Sequence, residues 1–512
     1  MGLLIENCRI AGLKEGSVYC EGGVISRILG GTSQDVPEGT TRINACGGAL
    51  FTGFTDTHCH PFELGWLKRS VDLRGTGNIG GLQLKVLAAV QKARPGEWVT
   101  GMGWDHETFP EKRLPNRGDI DGVSPVNPVA ITRVCGHITL LNGRAIETLC
   151  LESRSGAEYD RDATGAMTGI VRERAQEDVF RRIPSKDAQK CLDDLLSAES
   201  EAVRYGLTTV HCILSSDAFR EELEALAARL ADGSPSPRYR VYIPADAMEH
   251  VAQTRMREKL RGDQTRINGV KLYADGSLGA STAALREPYS DDPSNSGLLR
   301  YGDEELAEVI GRADSAGYQV IIHAIGDRAI EQAIDALTPV VGGGNPHRHR
   351  VEHASLLPPD LRSKMKKLGI RAAIQPSFVV SDSWAVRRLG EDRVRDLYPF
   401  RSMLKERIPL SGSSDAPVET LSPVIGMWAS LVRTGFSPEE RLTLRQALEL
   451  YTSNAATNGF DEEETVLKEG GRADLTLLDS KVDGMHPAVF RKVRTAATII
   501  GGDIAYSFEG NA

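Results

Sequence analysis

No stretch of this sequence is apolar for long enough to cross a bilayer, which takes about 20 residues as a helix, so a membrane-spanning protein is not expected. Cysteine pairs are missing as well. The eight cysteines all lie between Cys8 and Cys212 with no Cys-x-x-Cys among them, which speaks against a disulfide framework or a thiolate zinc knuckle and for reduced, mostly buried thiols. An excess of basic charge is also absent: a net charge of −9 offers no broad attraction to nucleic acid or to an anionic membrane. The start, Met1 to Glu6, lacks the basic flank and long apolar core of a signal peptide, and Glu6 stands where a myristoylation motif needs Ser or Thr. A cytoplasmic protein acting on a small molecule is the expectation, and a homo-oligomer is compatible with it. What is present is 512 residues, 40% hydrophobic and 26% charged, enough for a sizeable core in about three domains or in one large barrel with additions.

The stretch Gly53-Phe-Thr-Asp-Thr-His-Cys-His60 follows the apolar Ala49-Leu50-Phe51. In a strand, the period of two puts His58 and His60 on one face and Cys59 on the other, so two imidazoles converge on one point, as metal ligands do. Alone, such a pair is also compatible with two polar residues at a strand end. Later residues decide between these readings.

From Ser185 onward, short apolar strands alternate with amphipathic helices. Predicted strands include Gly206 to His211, Tyr239 to Ile243, Gly269 to Tyr273, Tyr318 to His323, Arg350 to His353, Ile370 to Gln375 and Ile408 to Asp415. Helices are predicted between them, among them Ala247 to Leu260, Asp303 to Ala316, Asp327 to Leu337 and Pro359 to Leu368. With the His58 strand this makes eight, the pattern of an α/β (β/α)8 barrel of the TIM type. Chemistry in such a barrel sits at the carboxyl ends of the strands, where His58, His60, Lys271, His323, His353 and Asp415 fall. Short strands at both chain ends are expected to join in one small β-sandwich domain. The expected plan is residues 1–52 and 466–512 for that domain, 53–61 for the first barrel strand, 62–184 for an inserted cap and 185–465 for the rest of the barrel. The cap reads as irregular, rich in Gly, Pro and aromatics; Trp104, Arg133 and His137 are candidates for lining a substrate pocket or for packing inside the cap. Asp275 supports either the substrate or metal site or a turn, and His347 and His349 read as a solvated loop.

Gly53 to His60, Val270-Lys-Leu-Tyr-Ala-Asp-Gly-Ser-Leu-Gly279, His323-Ala-Ile-Gly-Asp-Arg328, Val351-Glu-His353, Gln375-Pro376 and Gly412-Ser-Ser-Asp-Ala-Pro417 together resemble the amidohydrolase superfamily. More narrowly they resemble its family-3, YtcJ-like branch, which includes N-substituted formamide deformylases. The resemblance runs nearly end to end. It implies that His58, His60 and Asp415 hold one divalent ion, that His323 and His353 hold a second, and that Lys271 bridges both as a carbamate formed with carbon dioxide. Zinc is the expected metal.

A lysine ammonium has only donors, so the bridge requires that modification. Two such ions generate hydroxide from water and polarise a carbonyl, which suits hydrolysis of an amide-type C–N bond with Asp415 as the proton shuttle. Two other readings stay open. One is a mononuclear deaminase-type hydrolase of the same superfamily, with His58, His60, His323 and Asp415 on one metal, His353 positioning water and Lys271 unmodified. The other is a barrel kept as a binding protein or scaffold without turnover.

Overall fold

Eight parallel strands run in chain order around a barrel: β1 (Phe54–Cys59), β2 (Leu207–Ile213), β3 (Arg238–Pro244), β4 (Thr265–Tyr273), β5 (Gln319–Ala324), β6 (Arg350–His353), β7 (Arg371–Ile374) and β8 (Leu410–Gly412). The computed structural model describes residues 2–11, 14–30, 36–133, 138–156, 158–183, 187–342, 344–462 and 466–508. Every strand pairs with the next in the ladder from β1 to β8. The ring is closed by a few contacts at its seam, because β8 leaves its ladder after three residues. There, Asp415 N–H donates to the His58 carbonyl and His60 N–H to the Ala416 carbonyl, both at 2.9 Å. The Thr57 hydroxyl donates to the Gly412 carbonyl at 3.0 Å. One oxygen of the buried Asp56 carboxylate accepts from the backbone N–H of both His58 and Ser414, at 3.1 Å each.

The helices between the strands follow from local sequence. Asp303–Ser315 buries Leu306, Ile310 and Ala313, a stripe at helical spacing. Pro359–Leu368 begins with proline in its first turn and stops at Gly369, whose φ of +65° suits glycine. The single helix predicted over Ala247 to Leu260 is instead two, Met248–Gln253 and Met256–Lys259. The Thr254 hydroxyl donates to the His250 carbonyl at 2.7 Å and Arg255 adopts φ +53°, so the helical ladder is interrupted between them.

Strands from both chain ends form one eight-stranded sheet, a separate β domain. Along it the order is 503–507, 495–500, 475–478, 49–52, 3–10, 14–21 and 24–29, with 41–44 also pairing with 3–10. Ile5, Val18, Ile25, Leu50, Leu475 and Ile499 share its core. Strands 495–500 and 503–507 are joined by Gly501 and Gly502, both with positive φ, as a two-residue hairpin of this kind requires.

The chain divides into two compact units, Met1–Pro61 with Glu199–Ala512, and Phe62–Ala198. The second unit is not irregular. It contains a six-stranded sheet of order 159–161, 167–172, 138–141, 129–133, 99–104 and 71–72, parallel at one end and antiparallel at the other. The helix Ile79–Val90, capped by the Asn78 side chain on Gly81 N–H at 2.7 Å, sends Leu82 and Val86 into a core with Trp104, Phe109 and Ile131. These strands are two to six residues long, and glycines at 101 and 103 break the alternation that would have revealed one of them.

Candidate metal centre

Three ligand atoms meet at the barrel seam. His58 lies in β1 and His60 just beyond it, and their Nε2 atoms stand 3.2 and 3.3 Å from the same oxygen, Oδ1 of Asp415. The alternation of an extended strand accounts for the histidines, and the seam hydrogen bonds bring the residues after β8 to them. The ligand atoms of these three residues all lie within 4.8 Å of one another. Lys271 Nζ stands 3.2 Å from the same His58 Nε2. The His353 ring is 5.0 Å from that of His58 and 4.4 Å from that of His323. All six residues at the strand ends therefore gather at one mouth.

Each of three histidines has one ring nitrogen engaged by an acceptor. His58 Nδ1 faces the Glu352 carboxylate, His353 Nδ1 the Gln375 side-chain oxygen at 2.7 Å, and His323 Nε2 the Gly276 carbonyl at 2.9 Å. With the proton on the engaged nitrogen, the opposite nitrogen of each neutral ring carries a lone pair, the arrangement in which histidine binds a metal. The donor set therefore fits a divalent cation: imidazoles with their tautomers set by neighbours, and an ionised carboxylate beside them.

Electrostatics agree with that fit. Burial pushes His323 down to about 3, with the Lys271 ammonium adding to the effect, and burial followed by His323 itself takes His353 well below the imidazole range. Both rings are neutral at neutral pH. Burial alone would raise the Asp415 carboxyl, but the His58 and His60 rings beside it hold it well below the usual carboxylate range. Burial lowers Lys271 to about 8 against the opposing pull of Glu352 and Asp415. Three non-glycine residues here have positive φ: His353, Ala354 and Asp415, at +68°, +45° and +58°. Non-glycine residues hold such angles only where surrounding structure imposes them.

Residues 41–506 match the model of the amidohydrolase family. The chain belongs to that family. It is similar to YtcJ of Bacillus subtilis (strain 168), 28% identical over 517 residues with 96% of each chain covered. A metal-dependent hydrolase from Pyrococcus furiosus superposes with a TM-score of 0.80 at 30% identity, over 94% of this chain and 99% of that one. The N-substituted formamide deformylase of Arthrobacter pascens is 24% identical over 538 residues, covering 99% of this chain and 96% of that protein.

The remaining candidates have other neighbours. Trp104 is fully enclosed in the core of the second unit, where its indole N–H donates to the Ile131 carbonyl at 2.9 Å, so its place is that of a packing residue. Arg133 pairs with Asp105 at 2.7 Å in the same unit, and His137 lies outside the described residues. Asp275, 1% exposed, is an anchor for backbone: Oδ1 accepts from Ile325 N–H at 3.0 Å, and Oδ2 from Ala284 and Gly326 N–H at 2.9 Å each. Burial nevertheless pushes its carboxyl up to about 7. His349, read as part of a solvated loop, is buried. It forms a cluster with His347 and Asp314, but its Nδ1 accepts the Val320 N–H at 2.9 Å, which puts the ring proton on the Nε2 facing Asp314. A protonated nitrogen is no metal ligand, so this cluster is a hydrogen-bonded one.

Glu352, Gln375 and Asp56 stand inside the motifs quoted above, but the sequence assigns them no role. For Glu352 a signal existed: an acid inside a short strand buried along its whole length must be paired, and the histidine it pairs with is 294 residues away.

Proposed function

We propose that this chain is a metal-dependent hydrolase that cleaves an amide-type C–N bond of a small molecule in the cytoplasm, without nucleic-acid or membrane partners. The observation that carries the reading is the convergence of His58 Nε2 and His60 Nε2 on Asp415 Oδ1 at the carboxyl ends of the barrel strands. The names of its relatives support it, one being a metal-dependent hydrolase and another a deformylase of N-substituted formamides.

In this reading His58, His60 and Asp415 hold one zinc ion and His323 and His353 a second. Lys271 would supply a further anionic ligand: its neutral amine would add to carbon dioxide and lose a proton, giving a carbamate. When bound, the ions acidify water and polarise the substrate carbonyl. Asp415 accepts the proton of the attacking water and passes it to the leaving nitrogen as the C–O bond forms and the C–N bond breaks. The products are a carboxylic acid and an amine. Glu352 and Gln375 keep the His58 and His353 rings aimed inward.

A screen of N-acyl amines, formamides and cyclic amides with zinc-loaded protein tests the reading. Release of amine that requires zinc and disappears in His58→Ala is expected. Zinc-independent release, or none from any of these classes, would contradict it.

A further inference from the structure

We propose that Arg350 is a positioning residue for the metal ligand His58, gripping it through Glu352 at the ring and through Thr57 at the backbone. The inference rests on the reading of His58 as a ligand. Arg350 is wholly buried inside the barrel, and its guanidinium makes three directed contacts. Nε donates to Glu352 Oε1 at 2.5 Å, Nη2 to the Thr57 carbonyl at 2.8 Å, and Nη1 to His211 Nδ1 at 3.1 Å. The other Glu352 oxygen receives His58 Nδ1, and Thr57 immediately precedes His58. One planar fork thus fixes the carboxylate that orients the ligand ring and the peptide that carries it.

The fork is itself braced from behind. Arginine has only donors, so His211 Nδ1 accepts from it, and the Tyr242 hydroxyl beside that nitrogen gives its proton to Gln319 Oε1 at 2.6 Å. The guanidinium lies 4.9 Å from the Tyr242 ring centroid. The ring of His211 lies against Gly459, where a side chain would begin 2.8 Å from its Nε2. A line of contacts Gln319, Tyr242, His211, Arg350, Glu352, His58 therefore leads from the start of β5 through the interior to the metal mouth. Apolar packing generally serves stability as well as a buried ion pair does, so stability gives weak reason for a guanidinium here. The three-pronged aim at one ligand gives a specific one.

The test is zinc affinity of the full-length protein, stripped with a chelator and titrated with zinc against a competing chromophoric chelator. Arg350→Lys and Arg350→Met are expected to weaken zinc binding by about 10–100-fold, the usual effect of losing support for a metal-bound histidine. Lysine fails to rescue because a single ammonium cannot reproduce the fork. Arg350→Met/Glu352→Gln removes both charges, which protects the fold where Arg350→Met alone leaves an acid unpaired. It is expected to bind zinc somewhat more weakly than Glu352→Gln, because the Thr57 contact is lost as well, yet less weakly than the two single losses combined, because both changes remove the same carboxylate contact. If Arg350→Lys lowers the melting temperature of the stripped protein while zinc affinity stays at the wild-type value and His58→Ala abolishes binding, Arg350 is structural only and the inference falls alone. If wild type and His58→Ala bind zinc equally, the reading of the site falls and takes the inference with it.

Discussion

Asp275→Asn isolates what a buried carboxylate does at the mouth of this barrel. The two Asp275 oxygens accept three backbone N–H groups, from Ala284, Ile325 and Gly326. Asparagine has one acceptor oxygen. Placed where Oδ2 stands, it keeps Ala284 and Gly326 but turns its amide toward the Ile325 N–H, leaving one buried donor unpaired. Such a group costs roughly 1–3 kcal/mol, so Asp275→Asn should destabilise by that amount. Asp275→Ala leaves all three donors unpaired, about three times the cost on the same scale. Thermal unfolding of the metal-loaded protein should therefore rank wild type above Asn and Asn above Ala. Because Asp275 also lies 3.5 Å from His323 Nε2, turnover should fall in the same order. An Asn variant that melts with wild type, or an Ala variant no worse than Asn, would refute the anchoring argument.

Asp415→Asn should keep the fold while kcat falls by a factor on the order of 10² or more, read in a steady-state assay on whichever N-acyl amine the screen yields. Lys271→Ala should be nearly inactive, with partial recovery in short carboxylic acids that replace the carbamate; full activity without them would exclude the bridge. Burial lowers the pKa of His349, and burial's opposite effect on Asp314 is outweighed by hydrogen bonds from His347 and His349, so Asp314 is lowered too. A depressed folded pKa means stability that is present above the unfolded value and lost as pH falls, first through the imidazole range for His349 and then through the carboxylate range for Asp314. Asp314→Asn should therefore show a shallower pH dependence than wild type through the carboxylate range and a steeper one through the imidazole range, because Asp314 opposes the lowering of His349.

The barrel was legible because its strands and helices alternate with clear periods and because His58, Lys271, His323, His353 and Asp415 each lie within three residues of a strand's carboxyl end. The helix Asp327–Leu337 has the predicted bounds, and most of its residues are buried. What stayed hidden depends on long-range pairing. Arg240 is fully buried because Asp461 receives its guanidinium at 2.7 Å from 221 residues away, and nothing near either residue announces the other. The same holds for Glu352 and His58. The sheet of the second unit escaped for a different reason: strands this short, with Gly101 and Gly103 in one of them, carry too few side chains to display a period.

Metal analysis of protein grown with zinc tests the central claim most directly, comparing wild type with His58→Ala. Close to two zinc ions per wild-type chain is predicted, as hydrolysis at a paired site requires, with a clear loss in the variant. Wild-type protein without zinc, or a variant that carries as much as wild type, would contradict the account.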